Sequence, residues 1–293
     1  MKFKTVLLTA LLVSPAWAAQ SFTSPEAAGD ALQQAVASAD RATMVKVLGT
    51  EAKDLLDSGD GVADSQAAQT FSQSYAEQHR WRVQGQQQVL EIGSSAWPFP
   101  IPLVQSKGQW QFDSKAGRRE LLQRRIGQNE LSAIQSVQAY VDAQREYYAL
   151  DPENKGLLQY AQRINSLVGK KDGLFWPTAA DQSSPLGELF AKASREGYDL
   201  SDEAVPYHGY YFRALSAQGQ RAKGGAYSYL ANGAQIGGFA LIAYPAKYGV
   251  SGVTSFIVNH DGVVYERDLG RDTQKRAQSM SAFNPNSNWK AIR

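Results

Sequence analysis

Between Tyr210 and Asp268 the chain divides into five short β-prone runs, and a glycine-bearing turn signal interrupts every interval after the first run. The runs are Tyr210 to Ala217, Ala226 to Leu230, Gly237 to Tyr244, Val253 to Val258 and Val263 to Asp268. The signals are Gly224-Gly225, Asn232-Gly233, Tyr248-Gly249 and Asp261-Gly262, residues that favour tight turns. Parallel neighbours need a long crossover, and these intervals are too short for one, so the pattern predicts an antiparallel meander. A parallel nucleotide-binding sheet is excluded on the same ground.

The residues before the meander carry helical spacing. Leu131, Ile134, Val137, Val141 and Tyr148 line one side of a helix from Asn129 to about Leu150, where Asp151-Pro152 ends it. A second helix is predicted over Leu157 to Val168, stopped by Gly169, and a proline-started helix over Pro185 to Ala193.

The N-terminal part has a different order. Ser24-Pro25-Glu26 starts a helix, Asp40 opens a second ended by Gly49, and Ala67, Phe71 and Tyr75 mark a third. Strands are predicted over Trp81 to Gln84, Gln88 to Ile92, Phe99 to Val104 and Gln109 to Asp113, with Lys107-Gly108 as a hairpin turn. Pro98, Pro100 and Pro102 lack amide donors and belong on an edge or at a bend. Gly117 to Ile126 reads as a short helix stopped by Gly127. The fold class expected is therefore α+β: N-terminal helices packed on a small antiparallel sheet over 19–127, then a helix plus antiparallel meander over 128–293.

Residues 1–18 read as a secretory signal peptide, with Lys2 and Lys4, an apolar stretch from Thr5 to Val13, and Ala16-Trp17-Ala18 as the cleavage site. A periplasmic or secreted protein with no transmembrane segment in the mature chain is expected. Taking Lys2 and Lys4 from the 30 basic residues leaves 28 against 28 acidic ones. Such a neutral chain has no bulk attraction for nucleic acid, so a charged partner must be met by a local patch. The sequence has no cysteine, which leaves stability to packing alone.

Two stretches are distinctive in wording. One is His208-Gly209-Tyr210-Tyr211-Phe212-Arg213 with Tyr244-Pro245-Ala246-Lys247-Tyr248-Gly249; the other is Trp97-Pro98-Phe99-Pro100-Ile101-Pro102-Leu103 with Arg124-Arg125-Ile126-Gly127. Together they resemble a family of exported bacterial proteins, domain of unknown function number twenty-nine fifty; the resemblance implies export and no particular activity. Asn129 to Tyr148, followed by the Gly209 to Phe212 strand and the Asp261-Gly262 hairpin, also looks like the soluble part of type IV pilin and pseudopilin subunits. The long apolar helix that such subunits place directly before that part is missing here. The three helices and strands of the first unit are similar in order to the nuclear-transport-factor-like cone fold.

No metal, nucleophile or phosphate motif assembles. A His-Glu-x-x-His pair is absent, Gly249-Val250-Ser251-Gly252-Val253 misses the nucleophile elbow, and Ser287-Asn288-Trp289-Lys290 sits beside the C-terminus. Asn259, Asp261, Asp268 and Asp272 offer oxygen ligands for calcium, although turn chemistry accounts for the first two equally well. No catalytic residue, metal site or cofactor is assigned. His79 reads as a residue at a helix end and His260 as a turn residue, while His208, beside Tyr210 and Tyr211, is the histidine best placed to line a pocket. Arg118, Arg119, Arg124 and Arg125 form the sharpest charge cluster, able to meet carboxylate or phosphate groups of a partner, or else a solvated face or a source of interdomain salt bridges. These seven residues, from His208, Tyr210 and Tyr211 to the four arginines, are the candidate binding residues.

Two functions follow as expectations. The first is a non-enzymatic binding or assembly factor whose partner is an envelope protein or cell-surface polymer. The second is a hydrolase of envelope polysaccharide or peptide, with His208 and acids among Glu188, Glu196, Asp199, Asp202, Glu203 and Glu266.

Overall fold

A computed structural model describes residues 19–154, 156–177, 184–202 and 204–292. The predicted leader at 1–18 and the candidate acid Glu203 lie outside them. The chain forms two compact units, one of residues to Lys53 with Phe71–Gly117, the other of Asp54–Thr70 with Arg118–Arg293. Among the described residues no helix is long and apolar enough to cross a membrane. The architecture is mixed α+β, with antiparallel pairing in its principal sheets.

In the first unit, α1 (Pro25–Ala37) starts where Ser24 Oγ accepts the Ala27 amide, with proline in the first turn. Helix α2 (Arg41–Leu48) is capped by Asp40 and ends at Gly49, whose φ of 89° is open to glycine. Helix α3 (Gly61–Glu77), which belongs to this unit from Phe71 onward, leads into β1 (His79–Gln84) and β2 (Gln87–Ile92), a hairpin pairing His79 with Ile92. His79 thus opens a strand instead of closing a helix, its ring stacked on Tyr75 at 3.9 Å. Strand β3 (Trp97–Pro98) pairs with β2, and β4 (Leu103–Ser106) and β5 (Gln109–Phe112) form the hairpin around Lys107-Gly108. Tyr75, Leu90 and Ile92 are buried together with Phe71, Trp81 and Phe99 against them.

The predicted break at Gly127 does not occur: Ser114–Leu150 is one 37-residue helix, α4. A Cβ at Gly127 would meet nothing within 4 Å, so this glycine costs the helix about 1 kcal/mol relative to alanine and does not end it. The helix stops at Asp151, which takes a φ of 42° before Pro152.

The helix predicted over Leu157 to Val168 is also absent. This stretch is extended and carries β6 (Arg163–Asn165), paired in parallel with β7 (Gly173–Phe175). Gln144, fully buried on α4, explains the difference: its Oε1 accepts the Ala161 amide and its Nε2 donates to the Ala161 carbonyl, both at 2.9 Å. Those backbone groups are taken before a helix can use them. The predicted Pro185 to Ala193 helix forms two residues later as α5 (Gly187–Arg195).

The second unit is built on β8 (Tyr210–Leu215) and an antiparallel sheet. Strands β9 (Ala217–Gln218), β10 (Tyr227–Ser228), β11 (Leu230–Ala231) and β12 (Ala234–Gln235) are short and stand outside it. The predicted Ala226 to Leu230 strand therefore does not join the meander; Gln218 Nε2 donates to the carbonyls of Lys223 and Gly225 and folds this interval back on itself. The main sheet continues with β13 (Ala240–Pro245), β14 (Thr254–Asn259) and β15 (Tyr265–Asp268). After α6 (Thr273–Ser279) and β16 (Ala282–Phe283), β17 (Lys290–Ala291) closes the order β17-β15-β14-β13-β8.

Both faces of this sheet are covered. On one face Leu241, Ala243, Phe256 and Val258 pack with Val137, Tyr140 and Tyr147 of α4. On the other, Ala240, Ile242, Tyr244 and Ile257 pack with Ala277 of α6 and Phe283. Burial of both faces accounts for the unbroken apolar run of β13.

Candidate functional site

Immediately before β8, the chain reverses through Tyr207–Tyr210, with hydrogen bonds between these two residues in both directions, at 2.9 and 3.1 Å. His208 and Gly209 occupy the two central positions with φ of 47° and 75°. Such positive values suit glycine and are uncommon for histidine, so the turn needs support from outside. Asp60, only 1% exposed, supplies it. Its Oδ2 accepts the Gly209 amide at 2.8 Å and the Tyr198 hydroxyl at 3.0 Å, while Oδ1 accepts the Ala63 amide in the first turn of α3.

The turn delivers His208 to Glu196, just past the end of α5. His208 Nε2 lies 3.3 Å from Glu196 Oε2, and the Tyr207 hydroxyl donates to the same oxygen at 3.2 Å. The rings of Tyr198 and Tyr207 flank the imidazole. Burial pushes the His208 pKa below its ordinary value, with Glu196 and Asp60 opposing that shift and Lys192 adding to it. Burial likewise raises the Tyr198 and Tyr207 hydroxyls, next to Asp60 and Glu196 respectively. Burial therefore favours the neutral forms of the imidazole and of both phenols.

Tyr207 has a second role, because its side chain also lines an apolar cleft of about 590 Å³, open solvent at the mouth included. Ile164, Leu186, Leu189, Leu200, Phe212 and Leu241 make most of its wall; His208 and Glu196 are not part of it. Asp202 brings a carboxylate to the wall, its Oδ1 accepting the Ala204 amide at 2.8 Å, and the donors in the wall are committed to the protein's own carbonyls. Ser136 donates to Ser132, Tyr140 to Ala240 and Asn165 Nδ2 to Leu200, at 2.9, 3.4 and 3.0 Å. Asn165 Oδ1 alone among these is buried without a partner.

The four arginines separate by task. Arg118 pairs with Asp54 at 2.5 Å, and Arg125 donates to the carbonyls of Asp54 and Leu55 at 3.0 and 2.6 Å. Lys247 reaches the same loop at the Asp57 carbonyl, 3.1 Å away. Arg118 is the main cause that holds the Asp54 carboxyl below its ordinary pKa, against desolvation and with help from Lys247. Arg124 pairs with Glu120 one turn earlier on α4, and Arg119 is exposed. Tyr210 and Tyr211 point to opposite faces of β8, as strand alternation requires. Tyr210 is fully buried with its hydroxyl on the Thr254 carbonyl at 2.8 Å, and Tyr211 packs against Tyr244.

Residues 19–292 match the family described as Protein of unknown function (DUF2950). The chain belongs to that family. No curated protein and no solved structure matches it.

In this DUF2950 chain, the structure brings together His208, Glu196, Tyr198, Tyr207 and Asp60. It leaves His260 elsewhere, against the rings of Tyr229 and Phe239. Asp60 and Tyr198 are the residues that sequence reasoning missed. The Ser58-Gly59-Asp60-Gly61 stretch reads as a polar loop; its one usable signal is an aspartate directly ahead of a helix start, which marks a cap but not the long-range contacts. The oxygen-bearing residues considered for calcium serve turns: Asn259 Oδ1 accepts the Asp261 amide and Asp268 Oδ1 the Gly270 amide. Among the described residues no group of three or more His, Cys, Asp or Glu is arranged to hold a metal ion.

Proposed function

We propose that this chain is a non-enzymatic binding or assembly factor of the cell envelope that takes an apolar group of an envelope protein or cell-surface polymer into the cleft beside Tyr207. One observation carries this reading: the cleft presents apolar side chains, while the Ser136, Tyr140 and Asn165 donors around it are bonded within the protein. Such a wall supplies mainly contact area and shape; its one carboxylate, Asp202, accepts the Ala204 amide through Oδ1 at 2.8 Å. The leader read in residues 1–18 supports a place in the envelope, and the helix-before-sheet order read as pilin-like is compatible with assembly. Titration with N-phenyl-1-naphthylamine, a neutral fluorescent probe, tests the cleft. A saturable rise that Leu189→Glu abolishes, with circular dichroism unchanged, is expected; a non-saturable signal, or one equal in the variant, overturns the reading.

The His208–Glu196 contact at 3.3 Å favours a second reading, a hydrolase of envelope polysaccharide or peptide in which a carboxylate orients a neutral imidazole as general base. It requires that purified protein degrade such a polymer and that His208→Ala or Glu196→Gln remove the effect. Equal rates in both variants reject it.

A further inference from the structure

The extended stretch that Gln144 pins beside α4 helps to build a second cavity, of about 420 Å³ with open solvent counted. Its wall differs in kind from that of the apolar cleft. Two carboxylates, Glu153 and Asp172, two cations, Arg163 and Lys170, and two phenols, Tyr147 and Tyr160, face into it. We propose that this cavity binds a small zwitterion bearing one ammonium and one carboxylate, such as an amino acid or a short peptide.

The charges select that class. A simple anion entering the cavity meets Glu153 and Asp172, and a simple cation meets Arg163 and Lys170; each gains attraction on one side and repulsion on the other. A ligand carrying both signs satisfies both sides in one orientation. The acidic side is held in place before any ligand arrives. Gln159, 8% exposed, donates from Nε2 to Glu153 Oε2 at 2.8 Å, and the Leu167 amide donates to Asp172 Oδ1 at 2.9 Å. Tyr147, 1% exposed, is fixed by its hydroxyl on the Lys171 carbonyl at 2.7 Å. Prior fixing of these groups lowers the entropy lost on binding.

The cationic side remains available. Arg163 Nε is 3.8 Å from Asp172 Oδ2, a loose contact that a ligand carboxylate can share. Lys170 is exposed and has no ion-pair partner among the described residues. The site is independent of the apolar cleft, having no lining residue in common with it.

Isothermal titration calorimetry with glycylglycine as the probe tests the inference. Saturable binding is expected, with acetate, methylammonium and uncharged N-acetylglycinamide each about tenfold weaker or worse. Lys170→Gln, a surface change, and Glu153→Gln should each weaken glycylglycine about tenfold while leaving the N-phenyl-1-naphthylamine titration as it was. Absence of saturable binding, equal binding of N-acetylglycinamide, or unchanged affinity in both variants overturns it. Because the two probes report separate cavities, failure here leaves the cleft reading intact, and the reverse also holds.

Discussion

The Tyr198 hydroxyl donates to Asp60 Oδ2 at 3.0 Å, joining residues 138 positions apart in the chain. The acceptor is an almost fully buried carboxylate, so the bond is of the charge-assisted kind and has little competition from water. Tyr198→Phe keeps the ring and removes only this donor. A loss of about 1.5–3 kcal/mol is expected from urea unfolding, since hydrogen bonds to charged groups fall in that range. A change within error would show that the contact contributes nothing to stability.

Stability should also fall on acidification through His208. Its folded-state pKa lies below the ordinary 6.5, chiefly because of burial, so between those values the unfolded chain binds a proton that the folded chain refuses. The stabilisation is complete above about pH 6.5 and declines as the pH drops below it. Urea midpoints at pH 7 and pH 5 for the parent protein and His208→Asn isolate the effect, because asparagine tolerates the left-handed turn. The parent should lose more stability between the two conditions; parallel losses would assign the acid sensitivity to other groups.

Two glycines should respond to alanine with opposite signs. Gly127 lies inside α4 in open space, so Gly127→Ala should raise stability by about 0.5–1 kcal/mol. A Cβ at Gly252 would stand 2.2 Å from the Tyr210 hydroxyl and 2.7 Å from its Cζ. Tyr210 is fully buried and cannot swing aside, so Gly252→Ala should cost about 3 kcal/mol. Thermal melts of the two variants provide the comparison, and a shift of the same sign in both would contradict the packing argument.

Gln144→Leu matches the buried volume approximately but removes both hydrogen bonds to Ala161. A buried amide and carbonyl lose their partners, for a cost of about 3 kcal/mol. Hydrogen exchange should show the Ala161 amide losing protection while amides in β13 and β14 keep theirs. Retained protection at Ala161 would mean that the stretch is held by something other than Gln144.

The meander was readable because its later turns carry local signatures: Tyr248-Gly249 between β13 and β14 and Asp261-Gly262 between β14 and β15 have positive φ at their glycines. The Leu157 to Val168 stretch misled for the opposite reason. Its apolar spacing fits a helix, yet Leu157, Leu158 and Leu167 are exposed and Val168 is fully so, because the backbone bonds to Gln144 of α4, to the Gln235 carbonyl and to β7 instead of to itself. Anchors of that sort have no periodicity. The same applies to the site: His208 stands out by its tyrosine neighbours and Glu196 by its charge, but Asp60 becomes important only through partners 138 and 149 residues away. The arginines were legible as a cluster; that Arg118 and Arg125 spend their donors on residues 54 and 55 is a property of the folded loop.

The second unit draws on two stretches of sequence, 54–70 and 118–293, and this has a consequence for synthesis. Asp54, Asp57 and Asp60 leave the ribosome long before Tyr198, Gly209 and Lys247 have been translated. Their carboxylates must stay hydrated until the rest of the chain arrives, so this unit is completed late. A shortened chain started at Arg118 would carry the whole main sheet and yet lack the buried acid that seats the His208 turn.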